Sequence, residues 1–196
     1  MKNNIKRTKF NIILLGESKV GKTSIIGSLM NKPFNENNIL TIGIDTTMID
    51  VKFGEKTYKF KIFDTAGQER YKTVSRTTIT TADGILLVYA VNDKDSFDKI
   101  NDWMKDIQEK VNISKKVIYL VGNKIDVNKR VISNQTALEF SEEMNIKYNE
   151  TSAKTGHGIK DLFNELYSDI YEKNKESIEE NIKLVNSQKK KGSGCC

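Results

Sequence analysis

The sequence predicts one α/β domain, in which a mostly parallel β-sheet lies between two layers of helices. Short apolar runs rich in β-branched residues alternate along the chain with segments whose apolar residues recur at helical spacing. This alternation favours parallel strands joined by right-handed crossovers. A length of 196 residues, with 37% hydrophobic residues and one proline, is sufficient for a single domain with a large core. We therefore expect a three-layer sandwich with a six-stranded sheet and about five helices.

Six apolar runs are predicted to form the strands of this sheet. Two of them, 44–53 and 56–64, flank the dipeptide Gly54-Glu55 and are typical of a hairpin, which adds one antiparallel edge strand. The longest apolar run, residues 84–91, is far too short to span a bilayer and indicates a buried strand. The other strands are expected at 9–16, 85–91, 116–122 and 146–152.

Four segments show the apolar spacing of amphipathic helices. In residues 96–111 the apolar residues Phe97, Ile100 and Met104 lie on one face, and Ser96 is expected to cap the helix N-terminus. Further helices are expected at 22–30, 134–144 and 159–173.

The net charge of +6 is concentrated at the two ends of the chain. Residues 1–9 carry four basic and no acidic side chains, and residues 174–196 carry five lysines and three glutamates, which leaves 23 basic and 23 acidic groups between them. This neutral body disfavours nucleic-acid binding, while the cationic ends suit an anionic membrane or keep a tail soluble. We expect no secretory signal, since the first apolar stretch is short and lacks a cleavage site. The composition divides the chain into a basic arm at 1–8, a folded domain at 9–173 and a flexible tail at 174–196.

The first strand and the first helix are joined by the sequence GESKVGKTS, which fits the phosphate-loop pattern G-x-x-x-x-G-K-[ST]. The backbone amides of such a loop converge on phosphates, and the helix N-terminus adds partial positive charge. Lys22 is expected to reach the β- and γ-phosphates, and Thr23 to ligate Mg²⁺. An ordinary glycine turn is the competing interpretation. The expected phosphate-binding residues are Gly16, Glu17, Ser18, Lys19, Val20, Gly21, Lys22, Thr23 and Ser24.

Two further motifs, GNKID at 122–126 and TSAK at 151–154, follow the fifth and sixth strands and indicate which base is bound. The Asp126 carboxylate can accept hydrogen bonds from N1–H and the exocyclic amine of guanine, whereas adenine would leave buried groups unsatisfied. The Ala153 amide would donate to the guanine O6. Each motif alone is a weak signal, and NKID taken singly is more often a surface turn. The order and spacing of the two motifs after the phosphate loop favour a base site. The expected base-binding residues are Asn123, Lys124, Asp126, Ser152, Ala153 and Lys154.

These motifs, together with FDTAGQER at 63–70 and FNENNILTIGID at 34–45, make the chain resemble the Ras-superfamily small GTPases over about residues 8–173. Within that superfamily it resembles the Rab branch. The resemblance implies the P-loop NTPase fold of small G proteins. It also implies that the protein is a switch in vesicle traffic that binds Mg²⁺ and GTP or GDP, and hydrolyses GTP to GDP and phosphate.

The resemblance assigns roles to five residues of the two switch segments. Thr41 would ligate Mg²⁺ and sense the γ-phosphate through its backbone amide, and Asp64 would hold a magnesium-bound water. The Gly67 amide would contact the γ-phosphate, and Phe34 would pack against guanine. Gln68 would orient the attacking water and is the expected catalytic residue. The implied metal site thus comprises Thr23, Thr41 and Asp64.

Rapid hydrolysis is expected to need a partner, because no arginine occupies a clear position to act as a finger within the chain. The resemblance implies an exchange factor, a GTPase-activating protein, a GDI or escort protein and effectors, all acting on a monomer. Four positions depart from the Rab pattern. Lys19 stands where a small residue is usual, Thr46 where an aromatic residue is usual, Phe63 in place of a tryptophan, and Thr78 at the start of a usual tyrosine pair. A nucleotide-locked adaptor with little turnover is therefore the alternative function, and an ATP-using P-loop kinase is disfavoured by the two base motifs.

The only two cysteines, Cys195 and Cys196, end the chain. Adjacent cysteines close only a strained disulfide ring, and the single histidine, His157, does not complete a metal site with them. A C-a-a-X signal requires cysteine where Ser193 stands. The Cys-Cys end resembles the doubly geranylgeranylated end of Rab proteins. This implies a lipid anchor on the cytoplasmic side of an endomembrane or the plasma membrane, with cycling through the cytosol.

Overall fold

The structure, a computed structural model, describes residues 9–35, 44–65 and 72–191. Within these ranges six strands form one sheet in the order β2-β3-β1-β4-β5-β6, and every neighbouring pair is parallel except β2 and β3. The predicted mixed sheet with one antiparallel edge strand is confirmed. The strands are β1 Lys9–Leu15, β2 Ile44–Phe53, β3 Lys56–Thr65, β4 Gly84–Ala90, β5 Val117–Asn123 and β6 Lys147–Thr151. The helices are α1 Lys22–Leu29, α2 Lys72–Thr81, α3 Lys94–Asp98, α4 Ile100–Lys110, α5 Asn134–Glu143 and α6 Ile159–Lys191, and a 3₁₀ turn spans Ile113–Lys115.

The core consists of two apolar clusters, one on each face of the sheet. Side chains alternate along β1, so that Ile12 and Leu14 lie in the cluster with residues of α1 and α6, while Ile13 and Leu15 lie in the cluster with residues of α2, α4 and α5. All of β4 and β5 is buried, as expected for central parallel strands with helices on both faces. The predicted three-layer architecture is therefore confirmed.

The segment predicted as one helix over 96–111 is divided at Lys99 into α3 and α4. The prediction that Ser96 caps it is wrong: α3 begins at Lys94, and the Asp93 carboxylate accepts a hydrogen bond from the Ser96 amide at 3.2 Å. The Ser96 hydroxyl is instead buried, where it accepts from the Ala90 amide at 3.1 Å. Ser96, the third residue of α3, thus connects this helix to the end of β4 by a hydrogen bond.

Helix α2 was not predicted, because its sequence KTVSRTTITT is rich in threonine, which has low helix propensity. Tertiary contacts explain the helix. Ile79 is fully buried in the core, and the Lys116 ammonium donates to the carbonyls of Thr80 (2.9 Å) and Ala82 (2.5 Å), where a cation complements the helix C-terminus.

Helix α6 continues to Lys191, beyond the predicted boundary at residue 173. The apolar residues that anchor it, such as Phe163 and Ile170, lie before that boundary. None of the helices in the described ranges is long and apolar enough to cross a membrane. The division into arm, domain and tail stays a prediction.

Candidate nucleotide-binding site

The phosphate loop lies at the carboxyl end of β1 and leads into the N-terminus of α1. Gly16 and Gly21 have φ values of 142° and 99°, a region that favours glycine. A Cβ atom on Gly16 would lie 2.1 Å from the Val88 carbonyl oxygen, and one on Gly21 would lie 2.4 Å from Nδ2 of Asn123. Neither position has room for a side chain, because Val88 and Asn123 lie too close to the backbone. The two fixed glycines of the motif follow from these contacts.

Lys22 is held inside this loop. Its ammonium donates to the carbonyl oxygens of Gly16 and Glu17, both at 2.8 Å, and its side chain is buried. Burial lowers the pKa of Lys22 to about 8, although the carboxylates of Asp64 and Glu17 favour the charged form. A phosphate placed against this ammonium would favour its protonated state, so nucleotide binding and proton uptake are linked.

This linkage gives a first prediction. Near pH 8 about half of the Lys22 side chains are neutral without nucleotide, so GDP binding is expected to take up about half a proton. Because the bound state holds more protons, the affinity for GDP should fall as the pH rises above about 8. Titration calorimetry in two buffers of different ionisation enthalpy measures the uptake. Lys22→Arg, which stays charged, should abolish it; equal heats in both buffers for the unchanged protein would contradict the prediction.

Asn123 connects the phosphate loop to the segment after β6. Its Nδ2 donates to the Val20 carbonyl at 2.8 Å, and its Oδ1 accepts from Thr151 Oγ1 and from the Ala153 amide, both at 3.2 Å. The Asn123 side chain is buried, so each of these bonds is shielded from water. The three sequence motifs thus form one hydrogen-bonded unit.

The residues around Asp126 hold its carboxylate in a fixed position. The Ser152 hydroxyl donates to Asp126 Oδ1 at 2.5 Å and accepts from the Thr155 amide at 3.1 Å. Lys124 has a positive φ of 69°. Burial lowers the pKa of Lys124, and the nearby cation of Lys19 lowers it further. The carboxylates of Asp93 and Asp126 act in the opposite direction. Lys19 of the phosphate loop therefore lies close enough to Lys124 for their charges to interact.

Phe34 lies at the mouth of the same site. Its ring is 42% exposed, and the Lys154 ammonium lies 6.0 Å from the ring centroid. Phe34, which follows α1, and Lys154, which follows β6, are thus neighbours. A cavity of about 250 Å³ opens beside them, with Phe34, Ala153, Thr23 and Asp64 among the residues of its wall.

The wall of this cavity is suited to Mg²⁺. It contains the hydroxyls of Thr23, Ser24 and Thr47 and the carboxylates of Asp45 and Asp64. Mg²⁺ prefers oxygen donors and commonly takes one or two carboxylates together with water and substrate phosphates. Within 9–35, 44–65 and 72–191 no group of three His, Cys, Asp or Glu side chains could hold a metal by itself. The oxygen donors of the wall fit a magnesium ion whose remaining ligands would be water and phosphate oxygens.

Five predicted site residues lie outside the described ranges. The structure places neither the predicted metal ligand Thr41 nor the switch residues Gly67 and Gln68, and the same holds for Cys195 and Cys196.

Sequence reasoning missed two residues of the site. The Trp103 indole on α4 donates to Glu17 Oε1 at 3.3 Å and so connects the phosphate loop to that helix. Thr151 is fully buried and donates to Asn123. Thr151 is the first residue of the motif TSAK, so its position in the motif was a usable signal. Trp103 and Glu17 are 86 residues apart, and no sequence signal connects them.

A glycine-dependent phosphate loop is joined by Asn123 to the segment after β6, where Ser152 holds the Asp126 carboxylate. This arrangement defines a P-loop protein that binds a guanine nucleotide. The family model described as Ras family matches residues 11–172. The chain belongs to the Ras family.

The curated relatives refine this placement. The chain is 39% identical over 162 residues to Ras-related protein Rab-13 of Canis lupus familiaris, which covers 82% of this chain and 79% of the relative. It is 34% identical to Ras-related protein Rab7 of Pisum sativum, with 97% of each chain covered. It is 35% identical to Ras-related protein Rab-8A of Bos taurus, with 94% and 93% covered. The protein is thus a Rab-like small GTPase, a GTP-hydrolysing regulator of vesicle traffic with regulator and effector partners.

Proposed function

We propose that this protein is a magnesium-dependent switch whose two switch segments are ordered by the γ-phosphate of GTP and released by hydrolysis. The observation that carries the proposal is the Asn123 side chain, which bonds to Val20 of the phosphate loop and to the amide of Ala153. Phosphate binding and base binding are thereby parts of one rigid unit. A ligand that contacts both ends of this unit is a guanosine phosphate rather than a phosphate alone.

Magnesium would be held by Thr23, by Thr41 and, through water, by Asp64. The ion would neutralise charge on the β- and γ-phosphates during transfer. Asp64 supports this role because it is buried in the cavity wall and its charge acts on Lys22. The catalytic glutamine would be Gln68, which orients the attacking water, while the Gly67 amide contacts the γ-phosphate. Phosphoryl transfer needs positioning and charge neutralisation more than covalent chemistry, so these groups suffice for slow turnover.

The surface beside the switches differs from that of Rab proteins in ways that bear on partners. Thr46 is exposed, Thr78 is half-buried, and the Lys61 ammonium lies 4.6 Å above the Phe63 ring. A cation over the ring makes this spot more polar than an aromatic cluster would be. We propose that the effectors and the exchange factor of this protein bind a polar surface here. We also propose that a GTPase-activating protein supplies the catalytic arginine finger for GTP hydrolysis.

The chain would reach membranes through Cys195 and Cys196, modified by two prenyl groups. One lipid chain binds only marginally and two hold stably, whereas each lysine near an anionic leaflet adds about 1 kcal/mol. Lys189, Lys190 and Lys191 would therefore bias the choice of membrane without anchoring the protein. A GDI or escort protein would carry the lipidated form through the cytosol.

Single-turnover hydrolysis of bound GTP tests the switch. Gln68→Leu is expected to slow phosphate release at least about tenfold, because the attacking water loses its orienting group, while GDP affinity stays unchanged. Gln135→Leu is the matched control, since Gln135 bonds only to Glu139 on the exposed face of α5 in the contacts described. Absence of phosphate release from the unchanged protein, even with activating proteins, would support a nucleotide-locked adaptor instead.

A further inference from the structure

Four polar side chains form a hydrogen-bonded cluster next to the guanine-binding loops. The Tyr148 hydroxyl donates to Glu150 Oε1 at 2.5 Å, and the Tyr89 hydroxyl lies 3.0 Å from that of Tyr148. Arg130 pairs with Glu150 through both terminal nitrogens of its guanidinium. We call these four residues the Tyr–Glu–Arg cluster.

The two tyrosines meet across β5 because residue 122 has no side chain. Tyr89 of β4 and Glu150 of β6 are both in register with Gly122 of β5, so these residues form one row across the sheet. A Cβ atom on Gly122 would lie 2.8 Å from the Tyr89 hydroxyl and 3.0 Å from that of Tyr148. The glycine that opens the GNKID motif therefore makes room for the bond between the tyrosines.

The cluster contains one positive charge, on Arg130, and one negative charge, on Glu150, and the two are paired. Burial raises the pKa of Tyr89 to about 12 and also raises that of Tyr148, so both hydroxyls are hydrogen-bond donors at neutral pH. Burial alone would raise the pKa of Glu150, but bonds from Arg130 and Tyr148 lower it. An ionised carboxylate that accepts from two neighbours makes strong, directional bonds. The cluster therefore fixes the distances between the elements that carry it.

Two strands at the cluster, β5 and β6, lead directly into residues around the base site. Gly122 precedes Asn123, and Glu150 precedes Thr151, which donates to Asn123. Arg130 lies four residues after Asp126, and its Nε donates to the Ile132 carbonyl at 2.6 Å, so the cluster also restrains the segment that follows GNKID.

We propose that the Tyr–Glu–Arg cluster sets how strongly the protein distinguishes guanine from hypoxanthine, by fixing the position of Asp126 relative to Ala153. The proposal rests on the proposed base contacts of these two residues. Tyr148, Glu150 and Arg130 are positioning residues, since they act through the loops. Hypoxanthine lacks the C2 amine, so the difference in affinity between GDP and inosine diphosphate measures how well Asp126 is placed to accept from that amine.

Tyr148→Phe tests the proposal, because it removes the central hydroxyl and keeps the ring. The ratio of the inosine diphosphate and GDP dissociation constants is expected to fall at least about threefold, since a misplaced carboxylate loses part of its bond to the amine. Glu150→Gln should lower the ratio in the same direction. Competition of each nucleotide against a fluorescent GDP analogue measures both constants.

Tyr119→Phe is the matched control. Tyr119 is also a buried tyrosine, on β5, and its hydroxyl donates to a carboxylate, Asp169 Oδ2, at 2.8 Å. It packs on the other face of the sheet from Tyr89 and Tyr148. Both variants should lower the thermal midpoint to a similar extent, and only Tyr148→Phe should change the ratio. An unchanged ratio for Tyr148→Phe, or an equal fall for Tyr119→Phe, would overturn the proposal. If the unchanged protein does not prefer GDP to inosine diphosphate, the proposed base contacts themselves fail.

Discussion

Replacement of Asp126 by Asn is expected to transfer the base preference of the protein from guanine to xanthine. The carboxylate offers two acceptors, which match the N1–H and C2 amine of guanine, whereas an amide offers one acceptor and one donor. The amine of guanine would then face a donor, while the C2 carbonyl of xanthine would accept from it. Two hydrogen bonds to a charged acceptor are involved, so the affinity for GDP should fall roughly a thousandfold.

Competition of GDP and xanthosine diphosphate against a fluorescent nucleotide measures this change. Ser152 should continue to donate to the oxygen of the new side chain, so the loop should keep its shape. Asp50→Asn is a suitable control, because Asp50 is a half-exposed carboxylate that pairs with Lys59 on the hairpin. If Asp126→Asn leaves the GDP affinity unchanged, the base contact assigned to Asp126 is wrong.

The parts of the site that could be predicted from sequence are those fixed by local backbone geometry. Gly16, Gly21 and Lys22 occupy a strand–turn–helix whose conformation follows from the order of residue types, and the structure has it. Strand boundaries were likewise predicted to within a residue or two, because the central strands are buried on both faces and appear as continuous apolar runs.

The parts that could not be predicted depend on contacts between distant segments. Helix α2 is stabilised by the burial of Ile79 and by Lys116, against the low helix propensity of its threonines. The contact of Trp103 with Glu17 joins residues far apart in the chain. The break at Lys99 arises where Ser96 is drawn toward β4. In α2 the tertiary interactions outweigh a local preference of about 1 kcal/mol or less per residue.

Gly122 shows how a correct motif can conceal a structural requirement. The sequence identifies it as the start of a base-binding motif. Its effect on the structure comes from the absence of a side chain between Tyr89 and Tyr148, which lie 33 positions before it and 26 after it. Only the register of three strands brings these residues together.

Gly16→Ala is expected to lower the free energy of unfolding by about 3 kcal/mol, the sum of backbone strain and a forced displacement. The new methyl group would lie 2.1 Å from the Val88 carbonyl oxygen, and φ at this position is 142°. Val88 is part of a fully buried strand and cannot move aside without disturbing the core. For a domain of this size the thermal midpoint should fall by about 10 °C.

Gly27→Ala provides the comparison, because a Cβ atom at this position of α1 would have no neighbour within 4 Å. That change should be neutral or stabilising by up to about 1 kcal/mol. An equal midpoint for both variants would contradict the close approach of β1 and β4 at the phosphate loop.

The same pair of variants separates folding from nucleotide binding. A ligand that binds only the folded state raises stability according to its concentration and affinity. Saturating GDP should therefore raise the thermal midpoint of Gly27→Ala as much as that of the unchanged protein. The rise for Gly16→Ala should be smaller, because the methyl group would displace the loop whose amides are expected to face the phosphates. An equal rise in both variants would mean that the loop tolerates the displacement and that phosphate binding depends on Lys22 and the helix N-terminus alone.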